Sequence, residues 1–438
     1  MGFRTRQIHA GVTPDPQTGA ILTPIYQSTT FVQPSVDEYL SKGFTYSRSG
    51  NPTVRALELK ITDLEGGVDC ACFGTGMSAV LATMLAFLEA GKHAIVSDVA
   101  YGGTYRLSTK ILSRFGIDYT FADTSNADEV AAAVRDNTAM ILTETPANPT
   151  MKCSDIAAIS EIAQKAGAVH AVDNTFLTPY YQRPLELGAD ISFHSTTKYM
   201  DGHNATVGGA VVSNSQEHAD AVRFIQNSTG TIMSPQVAWL TLQGCKTLSI
   251  RMDAQSASAM AIAEFLEAHP KVKQVAYPGL PSFAQHELSK RQASGFGAML
   301  WFEVKGGVVA GKKLMDFVEL WTLAENLGSV ESLITHPATV TYYRNTRKER
   351  YALGITDQLI RLALGIEDPE PGEGDPEAGG VQGGGPQVEG IGVVPYHDPA
   401  IVLVYLFDGG LSPQPPFPAC GRLESPRREL PCERTGCD

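Results

Sequence analysis

The sequence lacks the features that mark several other classes of protein. No stretch approaches the ~18 consecutive apolar residues of a membrane-spanning helix, and the start, MGFRTRQIHAG, has no apolar core of a signal peptide. The seven cysteines form no CxxC pair, which favours a reducing compartment. Basic residues number 34 against 47 acidic ones, which argues against a nucleic-acid binder. We therefore expect a cytoplasmic protein without a membrane span, a nucleic-acid partner or a metal site.

What is present indicates a globular chain with more than one structural unit. The chain has 438 residues, of which 43% are hydrophobic and 18% charged, as is ordinary for a protein with a large buried core. Residues 1–60 are rich in turn formers and predict an N-terminal arm that packs on a partner. We assign 61–250 to a large domain and 251–368 to a smaller α/β domain. Residues 369–438 begin with a Pro-, Gly- and Glu-rich run and predict a disordered tail.

Short apolar strands alternate with helical patterns through the large domain. Strand-like segments are HAIVSD (93–98), TAMILTE (138–144), AVHAVDN (168–174), DISFHS (190–195) and GGAVVS (208–213). Residues 77–91 and 154–167 have the periodicity of packed helices ending on glycine, the second with Ser154 as N-cap, and a long helical segment spans 235–268. This alternation predicts an α/β fold whose sheet is mostly parallel and covered on both faces.

A glycine-rich turn at 73–79, FGTGMSA, opens one of these helices. Such a turn offers free backbone N–H groups and a positive helix end to a phosphate. The pattern Gly74-x-Gly76-x-x-Ala79 also fits a dinucleotide fingerprint, with Asp98 as its acid. Taken alone, the motif leaves phosphate binding, a plain tight turn and nicotinamide binding open.

Two further residues stand at predicted strand ends, where ligands bind in open α/β sheets. Lys198 follows the small hydroxyl residues of HSTTK, and a desolvated lysine there could form a Schiff base with an aldehyde. Asp173 closes the strand of AVDNTF and could pair with a protonated pyridine nitrogen. The alternative interpretations, which involve no ligand, are a solvent-exposed lysine and a helix-capping aspartate. Together with the glycine turn, the two residues favour a phosphate-bearing aldehyde cofactor.

These motifs and their order resemble the trans-sulfuration (Cys/Met metabolism) family of pyridoxal-phosphate enzymes. The matching stretches are YSRSGNPT (46–53), GTGMSA (74–79), YGGTYR (101–106), TPANPT (145–150), VDNTF (172–176), HSTTKYMDGH (194–203), NLGSVESL (326–333) and LIRLALGIED (359–368). The resemblance covers about residues 4–368. It implies pyridoxal 5'-phosphate as cofactor and the type I fold of such enzymes, with a large domain around a mostly parallel seven-stranded sheet and a smaller α/β C-terminal domain.

The resemblance also implies a role for each cofactor-binding residue. Lys198 would hold the cofactor covalently and shuttle protons, and Asp173 would pair with the ring nitrogen. Tyr101 would stack on the ring and take part in proton transfer, and Asn148 would contact its phenolic oxygen. The phosphate cup would consist of Gly76, Met77, Ser195 and Thr197.

A neighbouring subunit completes each site in this family, which implies a homotetramer built from active dimers. Tyr46 and Arg48 would reach from the arm into the neighbour's phosphate site. Arg361 and Ser329 fall where the family binds the substrate α-carboxylate, a task suited to a bidentate guanidinium.

The reaction inferred from the resemblance is α,γ-elimination of L-cystathionine to cysteine, 2-oxobutanoate and ammonia. Arg106 and Glu331 match residues of the members that handle this two-headed amino acid, whereas Gly103 stands where methionine γ-lyases carry cysteine. The alternatives are γ-replacement on an activated homoserine ester, including sulfhydrylation, a scaffold that has lost activity, and a nicotinamide-dependent dehydrogenase.

Overall fold

The computed structural model describes residues 1–318, 320–343 and 345–367. The helices are α1 (Phe3–His9), α2 (Pro52–Glu65), α3 (Gly76–Phe87), α4 (Gly102–Lys110), α5 (Ala127–Ala132), α6 (Ile156–Ala166), α7 (Thr178–Tyr181), α8 (Gln216–Thr229), α9 (Pro235–Cys245), α10 (Leu248–Ala268), α11 (His286–Gln292), α12 (Gly307–Phe317) and α13 (Arg347–Ala352). The predicted tail, 369–438, lies outside the described residues.

The strands form two sheets. They are β1 (Asp69–Phe73), β2 (His93–Ser97), β3 (Asp118–Ala122), β4 (Thr138–Glu144), β5 (Val169–Asp173), β6 (Ile191–His194), β7 (Gly209–Ser213), β8 (Val272–Ala276), β9 (Met299–Val304), β10 (Thr322–Leu323), β11 (Leu333–Thr335) and β12 (Leu359–Ala363). The larger sheet has seven strands in the order β1-β7-β6-β5-β4-β2-β3, and the smaller has five in the order β10-β11-β12-β9-β8.

The larger sheet confirms the predicted α/β class. Strands β6, β5, β4, β2 and β3 pair in parallel, and only β7 runs antiparallel to its neighbours β1 and β6. All five residues of β1, β2 and β7 are buried, as expected for strands covered on both faces. Because the central strands are parallel, β4, β5 and β6 end at one edge, and their last residues meet there.

Local sequence explains where several helices begin and end. Helix α6 is capped at its C-terminus by Gly167 (φ 64°), as predicted, but its N-cap is Asp155 rather than Ser154. Helix α3 ends at Phe87, earlier than the predicted Gly91, with Leu88 in extended backbone. The segment 235–268 forms α9 and α10 instead of one helix.

The predicted arm differs from the structure at both of its ends. Helix α1 packs on its own chain, where Gln7 exchanges hydrogen bonds with Ser249. Helix α2 begins at Pro52, and its Leu57 and Ile61 lie in the core of the large domain. The stretch without helix or strand is therefore 10–51. In it, Val32 is 87% and Val36 is 91% exposed to solvent.

Candidate active site

A cavity of about 260 Å³ lies between the carboxyl edge of the larger sheet and strand β12 of the smaller one. Among the described residues that line it are many of those predicted from sequence: Gly76, Met77, Tyr101, Asn148, Asp173, Ser195, Thr197, Lys198 and Arg361. The fold thus brings together residues that lie up to 285 positions apart, 361 − 76, in the chain. Strand-end residues, the start of α3, Arg361 of β12 and loop residues such as Glu325 and Asn326 form the walls.

Lys198 follows β6 and reaches into this cavity, half-buried. Its Nζ donates a hydrogen bond to Oδ1 of Asn326. Burial, and after it the positive charge of Arg361, lower the pKa of Lys198 to about 8. A neutral amine is therefore populated near physiological pH, and a neutral amine is the nucleophilic form.

Two carboxylates stand side by side at the ends of neighbouring strands, since Glu144 of β4 pairs in register with Asp173 of β5. Burial, and after it the charge of Asp173, raise the pKa of Glu144 to about 8. Burial also raises the pKa of Asp173, although Thr175 opposes this by donating its backbone N–H (3.0 Å) and hydroxyl (2.5 Å) to Oδ1. Within the described chain, no residue donates to Asp173 Oδ2. Oδ2 of Asp173 can therefore accept a hydrogen bond from a group bound in the cavity.

The start of helix α3 forms an anion cradle. Gly76 and Met77 lie in its first turn, where amide N–H groups have no intrahelical acceptor. A Cβ at position 76 would lie 2.9 Å from Ser195 Cβ, so only glycine permits this approach. Thr197 was predicted to help bind the phosphate. In the structure its hydroxyl donates to the Gly208 carbonyl (3.3 Å) and accepts from the Gly208 amide (3.0 Å).

Glu144 also positions two of the predicted residues, a role that the sequence reasoning missed. Its carboxylate accepts the backbone N–H of Tyr101 at 2.8 Å and that of Asn148 at 2.8 Å. The signal was present, since Glu144 closes a predicted strand just as Asp173 does. One buried acid thus fixes the backbone of both residues against the cavity.

Arg361 places a buried guanidinium in the opposite wall. It donates to Asn148 Oδ1 (3.2 Å), to the Asn326 carbonyl (2.8 Å) and to Thr335 Oγ1 (3.2 Å). Burial lowers the pKa of Arg361 to about 10, and its Nε has no hydrogen-bond partner within the described chain. This group is suited to an anionic ligand.

The structure places Ser329 and Glu331 differently from the prediction. Ser329 is buried and donates its hydroxyl to the Glu331 carbonyl (3.0 Å), and neither residue lines the cavity. Glu325 and Asn326 line it instead. The cause is the turn at Gly328, which has φ 78° and packs on the Tyr199 backbone, so that the chain leaves the cavity after Leu327.

Tyr46, Arg48 and Arg106 do not line the cavity of their own chain. Tyr46 is exposed, and Arg48 lies over its ring at 5.7 Å. Arg48 also donates to the carbonyl and to Oδ1 of Asn227, both at 2.7 Å. Arg106 is exposed on α4. Roles toward a neighbouring subunit or a substrate remain predictions for these three residues.

The dinucleotide interpretation of the glycine turn does not fit the sheet. Its fingerprint belongs to a parallel βαβ unit, whereas β1 is an edge strand that pairs antiparallel with β7. Asp98 does not line the cavity and lies 3.8 Å from Lys152 Nζ. Phosphate binding by the glycine turn stays a prediction.

No helix in the part of the chain that the structure describes is long and apolar enough to span a membrane. Over the same residues, no group of three or more His, Cys, Asp or Glu side chains could hold a metal ion.

Comparison with known proteins gives a consistent result. The family model described as Cys/Met metabolism PLP-dependent enzyme matches residues 4–375. Cystathionine gamma-lyase of Bacillus subtilis (strain 168) is 48% identical over 370 residues, which cover 84% of this chain and 97% of that protein. Cystathionine beta-lyase of Lactococcus lactis subsp. cremoris (strain MG1363) is 47% identical over 368 residues, 83% of this chain and 95% of the relative.

A solved structure supports the same relationship. The crystal structure of metB from Corynebacterium glutamicum superposes with a TM-score of 0.81 at 44% identity, covering 84% of this chain and 94% of the other. The residues matched by the family model, 4–375, include both sheets and all residues that line the cavity.

Proposed function

Because the chain belongs to the Cys/Met metabolism family of pyridoxal-phosphate-dependent enzymes, we propose that it cleaves L-cystathionine by α,γ-elimination. With one water consumed, the products are cysteine, 2-oxobutanoate and ammonia. The observation that carries this proposal is a cavity lined by both a buried guanidinium, Arg361, and a carboxylate, Glu325. Cystathionine has an amino-acid group at each end, so it can use the cation for one carboxylate and the anion for its far ammonium.

The residues of the cavity fit pyridoxal phosphate. The Gly76 cradle, which a Cβ would fill, offers helix amides to a phosphate. Within the described residues nothing donates to Asp173 Oδ2, so this oxygen can accept a hydrogen bond from a protonated ring nitrogen. Burial raises the pKa of Asp173. Lys198 offers the amine for an aldehyde.

When bound, the cofactor supplies an electron sink for negative charge at the substrate Cα. Lys198 would accept the proton from Cα, since its lowered pKa leaves part of the amine neutral. Asp173 would hold the ring nitrogen protonated, while Tyr101 and Asn148 are held against the cavity by Glu144. Arg361 would bind the α-carboxylate, and Asn326 takes the place in the wall that sequence reasoning gave to Ser329.

The same proposal includes a homotetramer. It is supported by the exposed apolar side chains of the 10–51 stretch, such as Val32 and Val36, which a second copy would cover. Tyr46 and Arg48 would then reach the neighbouring cavity. Light scattering on the purified protein should give four chain masses, and a stable monomer that turns over substrate would contradict this part of the proposal. A cytoplasmic location stays a prediction from the sequence.

Product analysis tests the proposed reaction. The protein should convert L-cystathionine to cysteine and 2-oxobutanoate, identified by mass spectrometry. Homocysteine and pyruvate would instead indicate cleavage of the other C–S bond, the β-elimination reaction. Faster consumption of a homoserine ester with cysteine would indicate γ-replacement, and no turnover with the cofactor bound would indicate a scaffold.

A matched variant links this reaction to the cavity. Glu325→Gln removes the charge proposed to bind the far ammonium, so KM for cystathionine should rise by about tenfold while kcat changes little. Glu287→Gln, a change of equal charge at an exposed side chain of α11, should leave both constants unchanged. Equal KM values for the Glu325 variant and the wild type would contradict this assignment.

A further inference from the structure

A continuous chain of side-chain hydrogen bonds runs from the Lys198 amine to the protein surface. Lys198 Nζ donates to Asn326 Oδ1, and Asn326 Nδ2 donates to Asn204 Oδ1 at 2.5 Å. Asn204 Nδ2 in turn donates to Glu331 Oε2 at 2.9 Å. Two amides thus link a half-buried amine to an exposed carboxylate outside the cavity.

Backbone hydrogen bonds hold the loop that carries Asn204 in place. Asn204 adopts φ 52°, a left-handed conformation that asparagine tolerates better than most residues. The buried Asp201 carboxylate accepts the backbone N–H of Ala205 at 3.0 Å, which fixes the loop. The Val330 amide donates to the Gly202 carbonyl at 2.9 Å and so ties the loop to the segment that carries Asn326 and Glu331.

Glu331, at the outer end, sets the donor-to-acceptor direction of every hydrogen bond between it and Lys198. An ionised carboxylate only accepts hydrogen bonds, whereas each amide has one accepting and one donating side. Asn204 must therefore turn its NH₂ to Glu331 and its oxygen to Asn326. Asn326 must then turn its own NH₂ outward and its oxygen to Lys198.

We propose that Glu331 is a positioning residue for Lys198, acting through Asn204 and Asn326. The surface carboxylate sets the orientation of both amides, so that Lys198 meets an acceptor and never a donor. Arg361 and Glu325, whose charges affect the Lys198 amine, take no part in this chain of hydrogen bonds. This role is separate from the substrate contact predicted for Glu331 from sequence, which stays a prediction.

The orientation affects how the amine captures an aldehyde. The Lys198 nitrogen forms a C=N bond to the aldehyde carbon, and the aldehyde oxygen leaves as water with the two protons of the neutral amine. An amide oxygen takes an N–H and leaves the nitrogen lone pair free for this attack. A reversed amide would donate its N–H to that lone pair and would hinder the reaction.

The test measures capture of pyridoxal phosphate by the full-length chain freed of cofactor, without substrate. The readouts are the rise of the visible absorption band and the borohydride-fixed mass. Glu331→Gln can present either side of its amide to Asn204, so capture should be about fivefold slower, the size of one neutral hydrogen bond. Glu161→Gln, a change of equal charge at an exposed side chain of α6, should capture at the wild-type rate.

A double variant tests the orientation itself. Asn204→Asp combined with Glu331→Gln moves the obligate acceptor one step inward, where it still accepts from Asn326 and receives an N–H from position 331. Capture should return to within about twofold of the wild-type rate. Wild-type speed in the Glu331→Gln variant alone, or a double variant as slow as the single one, would overturn the proposal.

This inference rests on Lys198 being the attachment site, and its failure can be told apart from failure of that role. Peptide mapping of the fixed wild-type protein reports the attachment site whatever the rates of the variants. If the mass lies on Lys198 and the variant rates do not differ, only the positioning role of Glu331 is wrong.

Discussion

Replacing Lys198 with alanine is expected to abolish covalent attachment of the cofactor and to lower turnover of cystathionine by about 10⁴-fold. The variant removes the amine that burial and Arg361 keep partly neutral, and with it both the attachment point and the proton acceptor. Absorption spectra should lack the visible band of attached cofactor, and the borohydride-fixed mass should be absent. Activity within about tenfold of the wild type would contradict the assigned role.

Lys60 provides a matched control for this experiment. Burial lowers the pKa of Lys60 to about 8, as at Lys198, but its Nζ donates to the carbonyls of Gln7 (2.6 Å) and Ile8 (3.1 Å). Lys60→Met should therefore cost about 1–3 kcal/mol of unfolding free energy and keep the visible band. The comparison separates a buried lysine with a lowered pKa from a reactive one.

Asp173→Asn should lower turnover by about 10²–10³-fold, the effect of losing one electrostatic contact at a reacting system. The amide keeps an oxygen for the two hydrogen bonds of Thr175, so the fold should persist while the negative charge is lost. Without that charge, position 173 could no longer hold the ring nitrogen of the bound cofactor protonated, which would weaken the electron sink. Steady-state kinetics and the unfolding midpoint should be measured together.

The control for Asp173→Asn is Asp190→Asn. Asp190 accepts the backbone N–H of His170 at 2.9 Å at the opposite edge of the same sheet, and it does not line the cavity. This variant should keep wild-type kinetics even if it unfolds slightly earlier. Equal losses in both variants would mean that Asp173 acts only on stability.

The sequence was sufficient to place the residues at the carboxyl edge of the sheet. Alternating strands and helices predicted parallel strands, and parallel strands end at one edge. Asp173 at the end of β5 and Lys198 just beyond β6 could therefore be assigned to one site before any coordinates. Glu144 also ends a parallel strand, β4. The same argument, applied to every strand end, would have predicted it at this site.

The wall from the smaller sheet was harder to predict. Ser329 and Glu331 lie close to Asn326 in sequence, and only the left-handed turn at Gly328 decides which side of this segment faces the cavity. Tertiary contacts fix that turn, since the Gly328 Cα lies close against the Tyr199 backbone. Local pattern carries no information about such a contact, which is why the two residues predicted from this segment lie a few positions beyond the ones that line the cavity.

Attachment of the cofactor to Lys198 is tested most directly by reducing the cofactor-loaded wild-type protein with borohydride and mapping its peptides by mass spectrometry. We expect the phosphopyridoxyl mass on the peptide that carries Lys198, with no comparable signal on the peptide that carries Lys60. A fixed mass on any other lysine, or none after full loading with pyridoxal phosphate, would contradict the assignment of Lys198 as the attachment site.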